Sequence, residues 1–233
     1  MLFKRKQKKP QDDRSGLVVV NKPTSVVSEQ FRTLRTNIQF SMIDDTLKTI
    51  VVTSAEPNAG KSTVSANLAA TFASEEKKVL LVDADLRKPT IHKIFKVRNK
   101  DGLTTLLTNR DTQLDEVVYG TQKEGLFILT SGAIPPNPAE LLGSKRMLEI
   151  IKEMEAYFDL IVFDMPPILA VTDAQVMASK VDGTLFVIPK GSTKQDLILK
   201  SKDLLEKVNA NVLGAVLNRV NKSDEEYYYY YGE

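Results

Sequence analysis

The residues best suited to chemistry fall in three short stretches and a terminal run. In TSAEPNAGKSTVSANLA, the segment Ala55-Glu56-Pro57-Asn58-Ala59-Gly60-Lys61-Ser62 fits G-x-x-x-x-G-K-[ST] at every fixed position but the first, where Ala55 replaces glycine. An apolar strand precedes it and an amphipathic helix follows, the context in which this pattern has meaning. Loop amides and the helix N-terminus, from Ala55 through Thr63, would then converge on phosphates. Lys61 would neutralise the β and γ oxygens and Ser62 would place its hydroxyl on Mg²⁺. Asn58 tolerates a left-handed backbone better than most residues and so can stand in for a glycine. LLVDADLRKP places Asp83 and Asp85 at the exit of a second strand, and LIVFDMPP places Asp164 at the end of another. Taken singly, each acid reads as a cap or turn former. After a phosphate loop, in an open α/β sheet whose ligands bind outside the carboxyl ends of strands, the three are expected to converge on one Mg²⁺ for phosphoryl transfer.

The run is DEEYYYYYGE. Five of the seven tyrosines, Tyr227, Tyr228, Tyr229, Tyr230 and Tyr231, stand together. Neither a strand nor a helix could bury all of them on one face. They either coat a partner or serve as the substrate of an enzyme.

Composition narrows the chemistry. The 233 residues, 42% hydrophobic and 27% charged, suffice for one globular unit with tails. With no cysteine, thiol catalysis, disulfides and cysteine zinc sites are excluded, and His92 is the sole imidazole. What remains is oxygen chemistry by Asp, Ser, Thr and Tyr. There is no run of eighteen apolar residues, and no apolar stretch follows the basic MLFKRKQKKP, so a cytoplasmic protein is expected. Residues 1–14 carry six basic side chains against Asp12 and Asp13, or +4; with a net charge of +2 for the chain, the remainder is near −2. Such a body is no basic nucleic-acid binder. The basic cluster with Leu2 and Phe3 could touch an anionic membrane at about 1 kcal/mol per cation, or could be a solvated arm.

Residues 1–27 read as a flexible arm without helical period, 28–220 as the domain and 221–233 as a flexible tail. In SEQFRTLRTNIQF, Phe31, Leu34 and Ile38 follow helical spacing and Ser28 is placed to cap the start. Strands are expected at TIVVTS (49–54), KVLLVDA (78–84), LFILTS (126–131), LIVFDM (160–165), GTLFVIP (183–189) and VLGAVLN (212–218). Helices are expected from 61 to 75, 144 to 156, from 173, and from 193. Nearly continuous apolar strands alternating with helices predict an α/β doubly wound, mostly parallel sheet covered on both faces.

The combination of TSAEPNAGKST, LLVDADLRKP and LIVFDMPP, with SEQFRTLRTNI ahead and tyrosines behind, resembles the bacterial tyrosine kinases that accompany capsule and exopolysaccharide synthesis. It is similar to their stand-alone cytoplasmic type. The matching segments, 55–62, 83–87 and 160–164, correspond to that family's Walker A, A′ and B motifs. The family loop usually carries glycine and glutamate before GKS, where this chain has Asn58 and Ala59, so altered loop stiffness is expected.

The resemblance implies ATP and Mg²⁺, with Lys61 and Ser62 on the phosphates and metal and with Asp85 and Asp164 in the metal's shell, directly or through water. It makes Asp83 the group that accepts or orients the tyrosine hydroxyl proton. Arg87 would either balance a phosphate or form a structural ion pair, and Asn218 and Arg219 fall where related folds contact the base. Glu29, Arg32 and Arg35, spaced by three on one helix as a charged ridge, match an E-x-x-R-x-x-R motif that joins subunits of a ring, by similarity an octamer. Also implied are a separate transmembrane activator that recruits the kinase to the inner membrane face, a cognate tyrosine phosphatase and other protein substrates. A partition or division-site ATPase is the rival reading, but its extra lysine would fall at Glu56. With neither H-R-D nor D-F-G, the chain is not a eukaryotic-type kinase. A nucleotide-binding scaffold without catalysis is left open.

Overall fold

In the computed structural model, which describes residues 16–41 and 47–220, the six apolar runs become strands. They are β1 (Thr49–Ser54), β2 (Val79–Asp83), β4 (Leu126–Leu129), β5 (Leu160–Asp164), β6 (Gly183–Pro189) and β7 (Val212–Asn218). A seventh, β3 (Val118–Gly120), is three residues long and left no readable alternation in the sequence. The sheet order is β3-β4-β2-β5-β1-β6-β7. All pairings are parallel except β3 against β4. The doubly wound sheet expected from alternation is therefore present, with one antiparallel strand closing its edge.

Every residue of the central strands β1, β2 and β5 is buried. Apolar side chains fill both sheet faces, one cluster around Val51, Leu80 and Phe163 and the other around Ile50, Leu81 and Val162. Such strands need helices on both sides. Helix α3 (Lys61–Phe72) is buried from Val64 onward, because Ala66, Ala69 and Ala70 let it lie close to the sheet; a 3₁₀ turn, Ala73–Glu75, ends it. Helix α8 (Lys145–Glu155) buries Met147, Ile150, Ile151 and Met154, a helical stripe, and Ser144 caps it by accepting from the Met147 amide. α9 (Asp173–Ala178), six residues long, and α10 (Gln195–Lys207) complete the set expected from sequence. Four short helices, α4 (Ile91–Ile94), α5 (Leu103–Thr108), α6 (Leu114–Val117) and α7 (Pro138–Gly143), lie in stretches too brief to show a period.

Two expectations near the N-terminus are corrected. Helix α2 runs Val26–Phe40 and its cap is Ser25, which accepts from the Ser28 amide. Ser28 itself is buried inside the helix and donates its hydroxyl to the Lys22 carbonyl at 2.7 Å. The expected flexible arm also gives up its second half. Leu17 is buried, α1 (Val18–Asn21) follows, the Val19 amide donates to Asn67 Oδ1 at 3.1 Å, and Asn67 Nδ2 donates to the Gly16 carbonyl at 2.7 Å. With Leu17 buried and the Gly16 and Val19 backbone groups bonded to α3, residues 16–21 pack against the domain. The basic cluster of residues 1–14 and the tail 221–233 lie outside the described residues.

Candidate active site

β5 lies between β1 and β2, and from that order the site follows. Register pairs Asp83 with Asp164 across β2 and β5, and Val52 with Asp164 across β1 and β5. The acids thus meet where β1 runs into the phosphate loop. Asn58 (φ 61°) and Gly60 (φ 88°) are both left-handed, as anticipated for Asn58 from its residue type. Ala55 and Ala59 are buried, and Ser54 Oγ donates to the Glu56 carbonyl at 2.8 Å, which closes the first turn. The last residue of β7 and the one after it hold the tip: Asn218 Nδ2 donates to the Ala59 carbonyl at 2.9 Å and the Arg219 guanidinium to the Asn58 carbonyl at 2.5 Å. Lys61 to Thr63 form the first turn of α3.

Asp164 is fully buried, and its Oδ1 accepts from Ser65 Oγ at 3.0 Å. Its Oδ2 has no partner among the described residues. Burial pushes this carboxyl up to about 6, against the lowering effect of Lys61 and of the Ser62 and Ser65 hydroxyls; Asp85 raises it further. Asp83, also fully buried, accepts the Thr90 and Ile91 amides on Oδ2, each at 2.9 Å, and leaves Oδ1 unpartnered among the described residues. Burial raises it well above the carboxylate range; Asp164 and Asp85 raise it too, while the two amides oppose.

Asp85 faces the other way. Its Oδ2 sits 3.4 Å from Lys61 Nζ, and its Oδ1 accepts the Arg87 and Lys88 amides at 3.3 and 2.9 Å. The three carboxylates therefore do not close on one ion. Among the described residues no group of three or more acidic or imidazole side chains is placed to hold a metal, which corrects the expected three-acid arrangement. Mg²⁺ asks for less, since it is commonly held by one or two carboxylates plus substrate phosphates. Ser62 with the free oxygen of Asp164 supplies such a partial set, and a buried carboxylate oxygen without a partner costs free energy unless something completes it. The residues present fit a metal–nucleotide.

Arg87 resolves toward its structural alternative. Its Nε and NH2 donate to both oxygens of buried Asp173, at 2.9 and 3.0 Å. This bidentate pair ties the loop after β2 to the first turn of α9. The guanidinium is thus committed to Asp173, not held out toward a phosphate. Glu29 and Arg32 pair with each other on the exposed side of α2, where Arg32 also donates to the Pro23 carbonyl at 2.6 Å. Arg35 turns inward instead, to Glu75 at 3.2 Å and the Thr71 carbonyl at 3.3 Å, so the three residues do not form one ridge. The tyrosines Tyr227 to Tyr231 lie outside the described residues.

Sequence reading missed Ser65 and Asp173. Ser65 stands four residues after Lys61, one turn along α3 on the same face, and that spacing was a usable signal. Asp173 gave none, because its partner is 86 positions away.

A left-handed phosphate loop, a lysine opening the next helix and acids at adjacent strand ends define a P-loop nucleotide-binding protein. Comparison with known proteins agrees: the AAA domain family model matches residues 47–218. The chain is 46% identical over 217 residues to the tyrosine-protein kinase YwqD of Bacillus subtilis (strain 168), covering 93% of this chain and 91% of that protein. The kinase domain of Escherichia coli tyrosine kinase ETK superimposes with a TM-score of 0.86 at 36% identity, covering 94% of this chain and 84% of that one. The septum site-determining protein MinD of Pyrococcus horikoshii OT3, complexed with Mg-ADP, superimposes less closely, with a TM-score of 0.64 at 27% identity over 76% of this chain and 72% of that one. The chain belongs to the bacterial tyrosine-protein kinase family.

Proposed function

We propose that this chain transfers the γ-phosphoryl group of MgATP to tyrosine, first on its own run Tyr227 to Tyr231 and then on other proteins. The observation that carries this is the register pairing of Asp83 with Asp164 beside Lys61, each acid keeping one buried oxygen without a partner among the described residues. In the reaction the tyrosine oxygen bonds to the γ-phosphorus, the bond from that phosphorus to the β-bridging oxygen breaks, and the tyrosyl proton leaves. Asp83, raised by burial, is a better acceptor for that proton than an ordinary carboxylate, although tyrosine at about 10 is still far more basic. Its larger contribution is therefore to orient the hydroxyl. Lys61 leaves Asp85 to neutralise phosphate oxygens, and Ser65 holds Asp164 with its free oxygen available. Ser62 and Asp164 would hold Mg²⁺, which when bound offsets charge on the transferring group. Residues 55–60 supply amides to the phosphates.

The thirteen residues from 221 onward, at roughly 3.3 Å each, span about 40 Å when extended, enough to enter a neighbouring subunit's site. Transfer within a ring, an octamer by the family resemblance, accounts for Glu29 and Arg32 standing exposed on α2. Five phosphates at about −1.5 to −2 each would take the net charge from +2 to about −6 to −8, so crowded tails would repel one another and loosen the ring. By the same resemblance the protein regulates capsular or extracellular polysaccharide synthesis. It would act with a transmembrane activator, whose cytoplasmic tail docks near the nucleotide and brings the kinase to the membrane, and with a phosphatase that resets the tail. Among the described residues no helix is long and apolar enough to cross a membrane.

The test is incubation with MgATP, with and without the activator's tail, followed by detection of phosphotyrosine. Labelling on the tyrosine run that disappears in Lys61→Met is expected, and undiminished labelling in that variant overturns the assignment. A division-type ATPase would release phosphate without labelling tyrosine. For transfer between subunits, a Lys61→Met subunit with its tail is mixed with an active subunit lacking one. An unlabelled tail, while an added peptide is phosphorylated, would rule it out.

A further inference from the structure

We infer that Arg219, with Asn218, is a positioning residue that aims the phosphate loop's amides, so that the root of the tyrosine tail shapes the nucleotide site. The inference rests on the nucleotide reading above and deepens it. Three observations meet at the loop tip. The Asn58 and Ala59 carbonyls are held from outside the loop, by Arg219 at 2.5 Å and Asn218 Nδ2 at 2.9 Å. The Asn218 side chain is itself fixed, because its Oδ1 accepts the Arg219 amide at 2.9 Å, and its backbone carbonyl accepts from the Lys190 amide at 2.8 Å at the end of β6. Arg219 has a left-handed backbone (φ 60°), an arrangement unfavourable for its residue type and retained only where surroundings fix it.

The consequence follows from peptide geometry. In a trans peptide the carbonyl and the following amide point to opposite sides. Holding the Asn58 and Ala59 carbonyls toward the end of β7 therefore turns the Ala59 and Gly60 amides away from it, onto the inner side of the loop where phosphates are received. A loop with glycine at position 58 could reach this shape by its own freedom. Here Asn58 and Ala59 are stiffer, and the orientation comes from the end of a strand more than 150 residues later. Gly60 fits the same picture, since a Cβ there would run into the Asn218 carboxamide. Two residues past Arg219 the tail begins, so a pull on the tail or a new negative charge near it competes for the guanidinium that holds the loop.

The test separates amide positioning from contact with the base. Inhibition constants for Mg-tripolyphosphate, which has no base, and for Mg-ADP are measured with the full chain and with Arg219→Ala and Arg219→Lys. Arg219 is exposed, and thermal melting verifies that the variants fold. Arg219→Ala should weaken both ligands by a similar factor of about 5 to 30, the effect of losing one or two such hydrogen bonds, with Arg219→Lys intermediate. Tripolyphosphate binding left unchanged, whether or not ADP weakens, overturns the inference; ADP alone weakening would mark a base contact. Failure of the unaltered protein to bind either ligand would instead overturn the nucleotide reading on which the inference stands.

Discussion

The two ends of the sheet use the same residue type in opposite ways. At the end where the strands begin, Asp182 accepts three hydrogen bonds on one oxygen, from the Lys48 amide (2.9 Å), the Thr49 amide (2.8 Å) and the Thr49 hydroxyl (2.9 Å). Asp159 likewise accepts the Lys78 amide at 2.8 Å. These carboxylates terminate neighbouring strands whose first amides have no ladder partner, and they are supplied with donors. At the end where the strands stop, Asp83 and Asp164 are more deeply buried, adjacent and raised in pKa, and each has an oxygen without a partner among the described residues. A fold optimised only for stability would not place two buried acids side by side with donors missing. The difference teaches where stability has been given up for a ligand: satisfied acids mark the scaffold, unsatisfied ones the site.

That contrast can be broken by substitution. The largest effect should come at the site: Lys61→Met is expected to lower phosphoryl transfer by about 10²- to 10³-fold or more with little change in melting, read by phosphotyrosine formation and calorimetry. Next, Asp182→Ala orphans two amides and a hydroxyl at the opposite end. It should destabilise by about 2–3 kcal/mol in urea unfolding while kcat/KM per folded molecule stays the same; a large kcat change would erase the distinction between the ends.

Asp164→Asn should do the reverse, abolishing transfer yet stabilising the ligand-free protein. Its carboxyl sits at about 6 against an ordinary 3.8, so the folded state binds more protons than the unfolded one between those values. Stability therefore falls as pH rises through that window, and the full cost is present above it. The substitution should recover about 1–3 kcal/mol at pH 7.5 and almost nothing at pH 3.5, measured by melting at both; equal gains at both would show that the buried charge is not what destabilises the acid. The smallest effect belongs to the surface of α2. Arg32→Ala should cost under about 0.5 kcal/mol in the monomer's stability, and light scattering should detect it as a loss of assembly.

Much of this was legible along the chain. β1, β6 and β7 have the bounds their apolar runs announced; for β1 and β6 the reason is that a buried strand must be apolar throughout its length, whereas β7 is a half-exposed edge strand. The phosphate loop was readable because its function demands particular residues at fixed spacing, and Asn58 because few side chains tolerate its backbone. The cap of α2 was not: Ser28 was expected there, but packing buries Ser28 inside the helix and leaves Ser25 as the cap. Arg87 stayed balanced between two roles until the fold brought Asp173 to it. Short elements such as β3 and α4 carry too few residues for a period to register.

By itself the sequence determined which residues stand at strand ends, what chemistry their side chains allow and to which family the motifs point. These properties are local, set by side-chain type and by the two- or 3.6-residue repeat. Only the tertiary structure decided that β5 inserts between β1 and β2, so that Asp83 meets Asp164, that Asp85 turns to Lys61, and that Arg219 closes on Asn58. Such contacts depend on strand order and crossover packing between segments far apart in the chain, and a local pattern does not encode them one residue at a time.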